Sequence, residues 1–218
     1  MRNRSALAGD AEARSTRDTI LDVAERHFAE RGFAGASVRD IAADSGLKNQ
    51  ASLYHYFEHK RALYEAVLSR GLEPIIATVI ASSRVERPAG ADPADALAPY
   101  LDPVIDHLVE RPHLPRLIQR AALDDSRYLR STLGRLLKPL YTEGLTAVSQ
   151  AASGWPVAER FHVAVALYQL IFGYFANATM FEIVADYDPL SLEAIERQRR
   201  FLHAAVAQLL GYVPPEKR

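Results

Sequence analysis

Hydrophobic positions recur every three to four residues along most of the chain, the spacing of one face of an α-helix. In residues 18–31, Ile20, Leu21, Ala24 and Phe28 share a face, and Gly32 stops the run. Ser37 opens a short helix, SVRDIAADS, with Asp40 three residues on as an approximate capping box. Gly46 supplies the positive φ that ends it. A second short helix is expected around 49–56, and a longer one from near His59, with Leu63, Val67 and Leu68 on one side. Gly71 and Pro74 lie inside it, and proline's missing N–H predicts a kink or break there. Residues 86–93 read as a linker, followed by helices at about 93–110, 113–123, 127–152, 156–185 and 189–211. No alternating strand pattern, repeat or low-complexity tract interrupts this series, so the expected fold is all-α.

Residues 37–57, SVRDIAADSGLKNQASLYHYF, have the pattern of two short helices joined by a tight turn. Val38 and Ile41 point inward, Ala42 is small where two helices approach, and Leu53 and Phe57 anchor the second helix. Asn49, Gln50, Ser52 and His55 are left outside. Amide side chains bond an adenine edge bidentately and serine bonds several partners, so this face is suited to reading bases. Tyr54, His55 and Lys60 are placed to hold phosphates. A small three-helix bundle with no nucleic-acid role fits the periodicity equally well.

Composition narrows the classes without choosing among them. The 218 residues are 49% hydrophobic and 24% charged, enough apolar material for a core. Cysteine is absent, which excludes disulfide scaffolds, Cys-based zinc sites and thiol catalysis. Net charge is -1, and residues 1–70, with 11 basic and 10 acidic side chains, barely differ from the rest. Any case for nucleic acid therefore rests on placement. No apolar run suggests a signal peptide at the N-terminus. Residues 161–181 lack Lys, Arg, Asp and Glu and are long enough to span a bilayer. His162, Gln169, Asn177 and Thr179 interrupt them, and acidic flanks set no topology, so a buried or interface helix is expected instead.

Residues 16–68 resemble the DNA-binding half of the TetR family of bacterial transcriptional regulators. The resemblance rests on Ile20-Leu21, Ala24 and Phe28, then Gly32-Phe33, Ser37-Val38-Arg39-Asp40-Ile41-Ala42, Ser45-Gly46-Leu47, Leu53-Tyr54-His55-Tyr56-Phe57, and Lys60 with Leu63. It covers about a quarter of the chain. It implies an all-α homodimer with an N-terminal helix-turn-helix domain and a larger C-terminal helical domain that binds small molecules and dimerises. It also implies phosphate contacts from Tyr54, Lys60, Ser37 and Arg39, the last two helped by a helix N-terminus. Arg17 is added from a basic arm that includes Arg2, Arg4 and Arg14. One departure is visible: Gly46 to Tyr54 takes eight steps where the family shows seven. The extra residue bears on which of Lys48, Asn49, Gln50 and Ala51 reaches bases. A longer turn is expected, because Leu53 and Phe57 fix the helix in the core.

The C-terminal half shows no motif for a reaction. His107 with Asp102 and Asp106, and His162 with Glu159, have spacings seen by chance, so no metal and no cofactor are expected. Ser126 and Ser131 lack a GxSxG context. The basic stretch from Arg111 to Lys138 is broken by acidic residues and reads as a salt-bridged face. Tyr100, His107, Tyr128, Tyr141, Tyr168, Phe172, Phe175 and Asn177 are candidates for an apolar pocket with polar handles, enclosed by the helices at 93–110, 127–152 and 156–185. Gln169, Gly173, Ala176 and Met180 form a stripe of smaller residues, and Ile195, Leu202, Val206 and Leu209 an apolar one. Together they suggest a four-helix dimer interface.

The expected organisation is a flexible arm at 1–15, a helix-turn-helix domain at 16–60, a ligand-binding and dimerisation domain at 61–213, and a frayed tail at 214–218. The expected function is a cytoplasmic, non-enzymatic repressor that is released from a palindromic double-stranded DNA operator by a small-molecule effector. The rivals are a DNA-binding regulator controlled by a protein partner, and a helical enzyme with a relic DNA-binding half.

Overall fold

The computed structural model describes the backbone of residues 2–84, 93–123, 126–152 and 154–211, and side chains for 15–82, 84, 100–123, 130–132, 134–152 and 154–211. The linker expected at 86–93 lies, but for its last residue, outside the described residues, as do the Asp124–Asp125 break and the 214–218 tail. The helices are α1 (Arg2–Gly35), α2 (Val38–Asp44), α3 (Gln50–Leu53), α4 (Lys60–Ser83), α5 (Pro93–Glu110), α6 (Leu114–Leu123), α7 (Ser126–Ala151), α8 (Arg160–Ala176), α9 (Ala178–Ala185) and α10 (Leu192–Leu210), with a 3₁₀ turn at Val157–Glu159. Among the described residues there is no strand.

Backbone proximity divides the chain into two units. One comprises Met1–Gly71 with Leu117–Thr132, the other Leu72–Arg116 with Leu133–Arg218. The division falls inside α4, after Gly71. The segment expected as an arm is helical from Arg2 onward, continuous with α1.

In the first unit, Gly32 takes φ 69 and ψ 177, a backbone state closed to most side chains, and interrupts α1 as its position predicts. Ile20, Leu21, Ala24 and Phe28 of α1 are buried, together with Ile41 and Ala42 of α2, Leu53 of α3, and Leu63, Val67 and Leu68 of α4. Tyr64, which the sequence reading passed over, is wholly buried and packs edge-on to Phe28 at 4.5 Å and Phe33 at 5.3 Å. Thr132 of α7 donates to Glu65 of α4 at 2.6 Å, and Arg61 donates to the same carboxylate oxygen at 2.9 Å.

In the second unit, Arg199 of α10 donates to Asp102 at 2.8 Å and Asp106 at 2.5 Å, both on α5. His203 also meets Asp102, at 2.9 Å. Desolvation pushes the Asp102 carboxyl up, but hydrogen bonds from His203 and Arg199, together with their charges, hold it below its ordinary range. Arg160 donates to the carbonyls of Ser149 at 3.0 Å and Trp155 at 3.2 Å, so it caps the end of α7.

Two expectations change. No break occurs at Pro74, which is exposed: α4 runs through it to Ser83. The single helix expected at 156–185 is divided at Asn177 into α8 and α9, with a bend of 63°. The Asn177 amide donates to the Gly173 carbonyl at 2.7 Å, the same acceptor that the Asn177 backbone N–H reaches at 3.1 Å. Among the described residues no single helix is long and apolar enough to cross a membrane. The bent pair Val157–Ala176 and Ala178–Ala185 meets the length and composition criteria only when taken together.

Candidate nucleic-acid interface

Local chemistry sets α2 and α3 at a fixed angle. Ser37 caps α2, its Oγ accepting from the Asp40 N–H at 3.3 Å. At the other end the Leu47 N–H reaches the Ala42 carbonyl at 2.9 Å and the Gly46 N–H reaches Ala43 at 3.0 Å. This paired closure needs the left-handed φ of 74 that Gly46 adopts. Asn49 then caps α3, its Oδ1 accepting from the Ser52 N–H at 3.0 Å and the Ser52 hydroxyl at 3.3 Å. Leu53 and Phe57 turn inward and are buried. His59 caps α4 in the same way, Nδ1 accepting from the Ala62 N–H at 2.9 Å.

All ten residues expected to face DNA lie in the first unit. Arg17 is exposed and its guanidinium sits 5.0 Å over the Phe57 ring. Arg39 is 83% exposed, with Asp40 3.5 Å away. Lys48, Tyr54 and His55 are exposed, and Ser37 and Ser52 are half-buried. Lys60 donates to the Ala34 carbonyl at 3.4 Å and lies 5.0 Å over the Phe33 ring. The two amides differ from the sequence expectation. Asn49 precedes α3 as its cap, and Gln50, the first residue of the helix, donates through Nε2 to the Tyr54 hydroxyl at 3.2 Å. Neither amide is turned outward with both its groups unengaged.

A pair that the sequence reading missed ties this surface together. His27 of α1 is buried and donates through Nε2 to Asp44 of α2 at 2.8 Å, while Arg26 reaches the same carboxylate at 3.2 Å. The hydrogen bond from His27 holds the Asp44 carboxyl below its ordinary value. Desolvation opposes it, and the charges of His27, Arg26 and Arg31 add to it. Only one cue existed in the sequence: His27 falls beside Phe28 within the apolar face of α1.

Of the residues expected to line a pocket, all but Tyr128 lie in the second unit. Tyr128 lies outside the described side chains. Tyr100 and His107 are half-buried on α5, whereas Tyr141 is 53% exposed and meets Phe161 edge-on. Tyr168 stacks on buried Phe172 at 4.8 Å, and burial pushes its phenol pKa up. Phe175 is buried, and Asn177 is committed to the end of α8. None of these lines the groove that the structure describes, about 650 Å³ between α8, α10 and Trp155, with Ala166, Gln169, Leu170, Ala205, Gln208 and Leu209 as its walls.

The interface expectation is corrected in part. Ile195, Leu202 and Val206 are buried within one chain and present no surface to a second copy. Leu209 is half-buried on the groove, its carbonyl accepting from the Trp155 indole at 2.7 Å. Gln169 and Met180 are exposed, Gly173 and Ala176 half-buried, and Val165 and Phe201 are open to solvent beside them. Among the described residues no group of three His, Asp or Glu side chains is placed to hold a metal ion.

Residues 20–67 match the family model described as bacterial regulatory proteins, tetR family. The transcriptional repressor KstR2 of Rhodococcus jostii is 39% identical over 69 residues, 31% of this chain and 33% of that protein. The match thus spans about a third of the curated relative's length. In solved structures, the fatty acid degradation regulator FadR of Bacillus halodurans superposes with TM-score 0.63 at 17% identity, covering 90% of this chain and 99% of the other. The regulator PfmR of Thermus thermophilus does so with TM-score 0.65 at 18% identity, covering 91% and 97%. These two likenesses concern the fold.

Proposed function

From the match of residues 20–67 to the tetR family of bacterial regulatory proteins, we propose that the chain is a transcriptional repressor that binds double-stranded DNA as a homodimer and leaves it when a small effector binds. The observation that carries the reading is the surface of the first unit. A short helix, fixed by a cap and by Leu53, exposes Gln50, and the turns on either side of it expose Lys48, Tyr54 and His55, with Arg17 and Arg39 exposed in the same unit. Ser37 Oγ accepts its cap bond, so its own proton is available for a phosphate oxygen. Arg17, Arg39, Lys60, Tyr54 and Ser37 hold the backbone, and the exposed side of α3 meets base edges.

The dimer uses the open stripe of Val165, Gln169, Gly173, Ala176 and Met180 on α8 and α9 with Phe201 on α10. Apolar groups left in water on one copy support this. The effector enters the second unit, supported by the half-buried Tyr100, His107 and Tyr168, and weakens DNA binding by preferring a different state of the dimer. Its DNA partner places the protein's action in the cytoplasm.

Selection of bound fragments from random DNA with the purified protein tests the proposal. Two inverted half-sites about one helical turn apart are expected. Recovery of no sequence above non-specific background refutes it.

A further inference from the structure

We propose that the apolar tip formed by α9 and the start of α10 in one copy fills the groove beside Trp155 in a second copy. This rests on the homodimer proposed above and adds which parts of the two chains meet. Met180, Ile183 and Val184 recur at helical spacing on one side of α9, and Ile183 and Val184 are 78% and 79% exposed. Leu192, the first residue of α10, is 86% exposed. Branched apolar side chains gathered in water mark a contact surface. The groove is the matching concavity. Trp155, Leu170 and Leu209 give it apolar walls, and no charged residue lines it among the described residues.

Groove and tip lie at opposite ends of one helix pair. Near the end of α8 the Tyr174 hydroxyl donates to the Pro189 carbonyl, just ahead of α10, at 2.8 Å. Ahead of α8 the Trp155 indole donates to the Leu209 carbonyl, near the end of α10, at 2.7 Å. The two helices therefore run antiparallel, with the groove at the Trp155 end and the tip at the Pro189 end. From Leu192 to Gln208 the helical rise amounts to about 24 Å, so the tip does not reach the groove of its own chain. A two-fold axis across the middle of the pair reverses the partner's helices and lays each tip on the other copy's groove. An axis along the helices stacks tip on tip and leaves both grooves open. Gln169 makes the surface continuous: it is a wall of the groove and also part of the open stripe that leads through Gly173 and Ala176 to Met180.

The chain has no cysteine, so single introduced thiols report the contact. Ile183→Cys and Gln208→Cys both change exposed residues. The two variants are mixed, left to exchange subunits and treated with a short bis-maleimide. A covalent dimer joining residue 183 of one copy to residue 208 of the other is expected in the mixture and in neither variant alone, with peptide masses identifying the link. Ile183→Asp should raise the dimer dissociation constant about a hundredfold, because the burial of one isoleucine is lost at both symmetry-related contacts. The emission of Trp155, the chain's one tryptophan, should shift to the red in that variant as the groove opens to water. Circular dichroism should match the wild type. A crosslink in Ile183→Cys alone, no crosslink in a mixture that light scattering shows to be dimeric, or an unchanged dissociation constant in Ile183→Asp overturns the inference. A wild type that stays monomeric overturns the homodimer reading itself.

Discussion

His27 and Asp44 join α1 to α2 through a 2.8 Å hydrogen bond from the imidazole Nε2 to the carboxylate. Asp44 is the last residue of α2, where the helix dipole disfavours an anion, so the partners that neutralise it also fix the angle at which α2 leaves α1. Folding depresses the Asp44 pKa from its ordinary 3.8, with the His27 hydrogen bond as the main cause. A carboxyl depressed by folding adds stability above its unfolded pKa, and that stability is lost as pH falls through the folded value. Asp44→Asn should therefore lower the urea midpoint at pH 7, and the gap to wild type should close as pH falls below about 4. Midpoints for both proteins across this range give the answer. A gap that stays constant with pH would show that the charge of Asp44 is idle.

Tyr64 fills the centre of the first unit between Phe28 and Phe33. Truncation leaves a cavity where two rings lose their edge contacts, so Tyr64→Ala should destabilise the protein by about 3–5 kcal/mol. Urea unfolding followed by circular dichroism measures this. A loss below about 1 kcal/mol would mean that neighbouring groups collapse into the space.

Phe201 and Leu202 are adjacent on α10 and lie on opposite sides of the chain's own surface: Phe201 is 54% exposed and Leu202 is 0% exposed. Phe201→Asp should yield a folded monomer with weakened DNA binding. Leu202→Asp should lose helical signal, because it buries a charge without a partner. Light scattering and circular dichroism on the two variants discriminate. A dimeric Phe201→Asp would remove α10 from the interface.

Lys60 and Arg39 are assigned to phosphates. Either residue changed to alanine should reduce affinity for operator and scrambled DNA alike. Each should also make the slope of log K against log salt shallower by about 0.9, one counterion's share. Titrations at four salt concentrations suffice. A changed base preference in either variant would reassign that residue to the bases.

What the sequence made legible was local. Gly32, the Ser37–Asp40 cap and Gly46 act through φ and through bonds within five residues, so their positions announced the turns. The inward residues Ile41, Leu53 and Phe57 followed from spacing alone. Periodicity also identified Ile195, Leu202 and Val206 as an apolar face, but spacing does not say whether such a face meets its own chain or another. The division at Asn177 was hidden because the composition on both sides is continuously apolar. Exposure of Gln50 was foreseeable. Its bond to Tyr54 depends on rotamers, which a pattern of residue types does not encode.

A helix of one turn has no stability of its own. α3 persists because the Asn49 cap closes one end and buried Leu53 and Phe57 hold the other. In the DNA-binding role proposed above, reading and folding would thereby fall to different residues. Lys48 and His55 are exposed and stand outside both anchors, so substitutions there carry little penalty to the domain. Asn49, Leu53 and Phe57 are held in place whatever sequence is read. Such a partition allows duplicated copies of one gene to diverge in target while keeping the same scaffold.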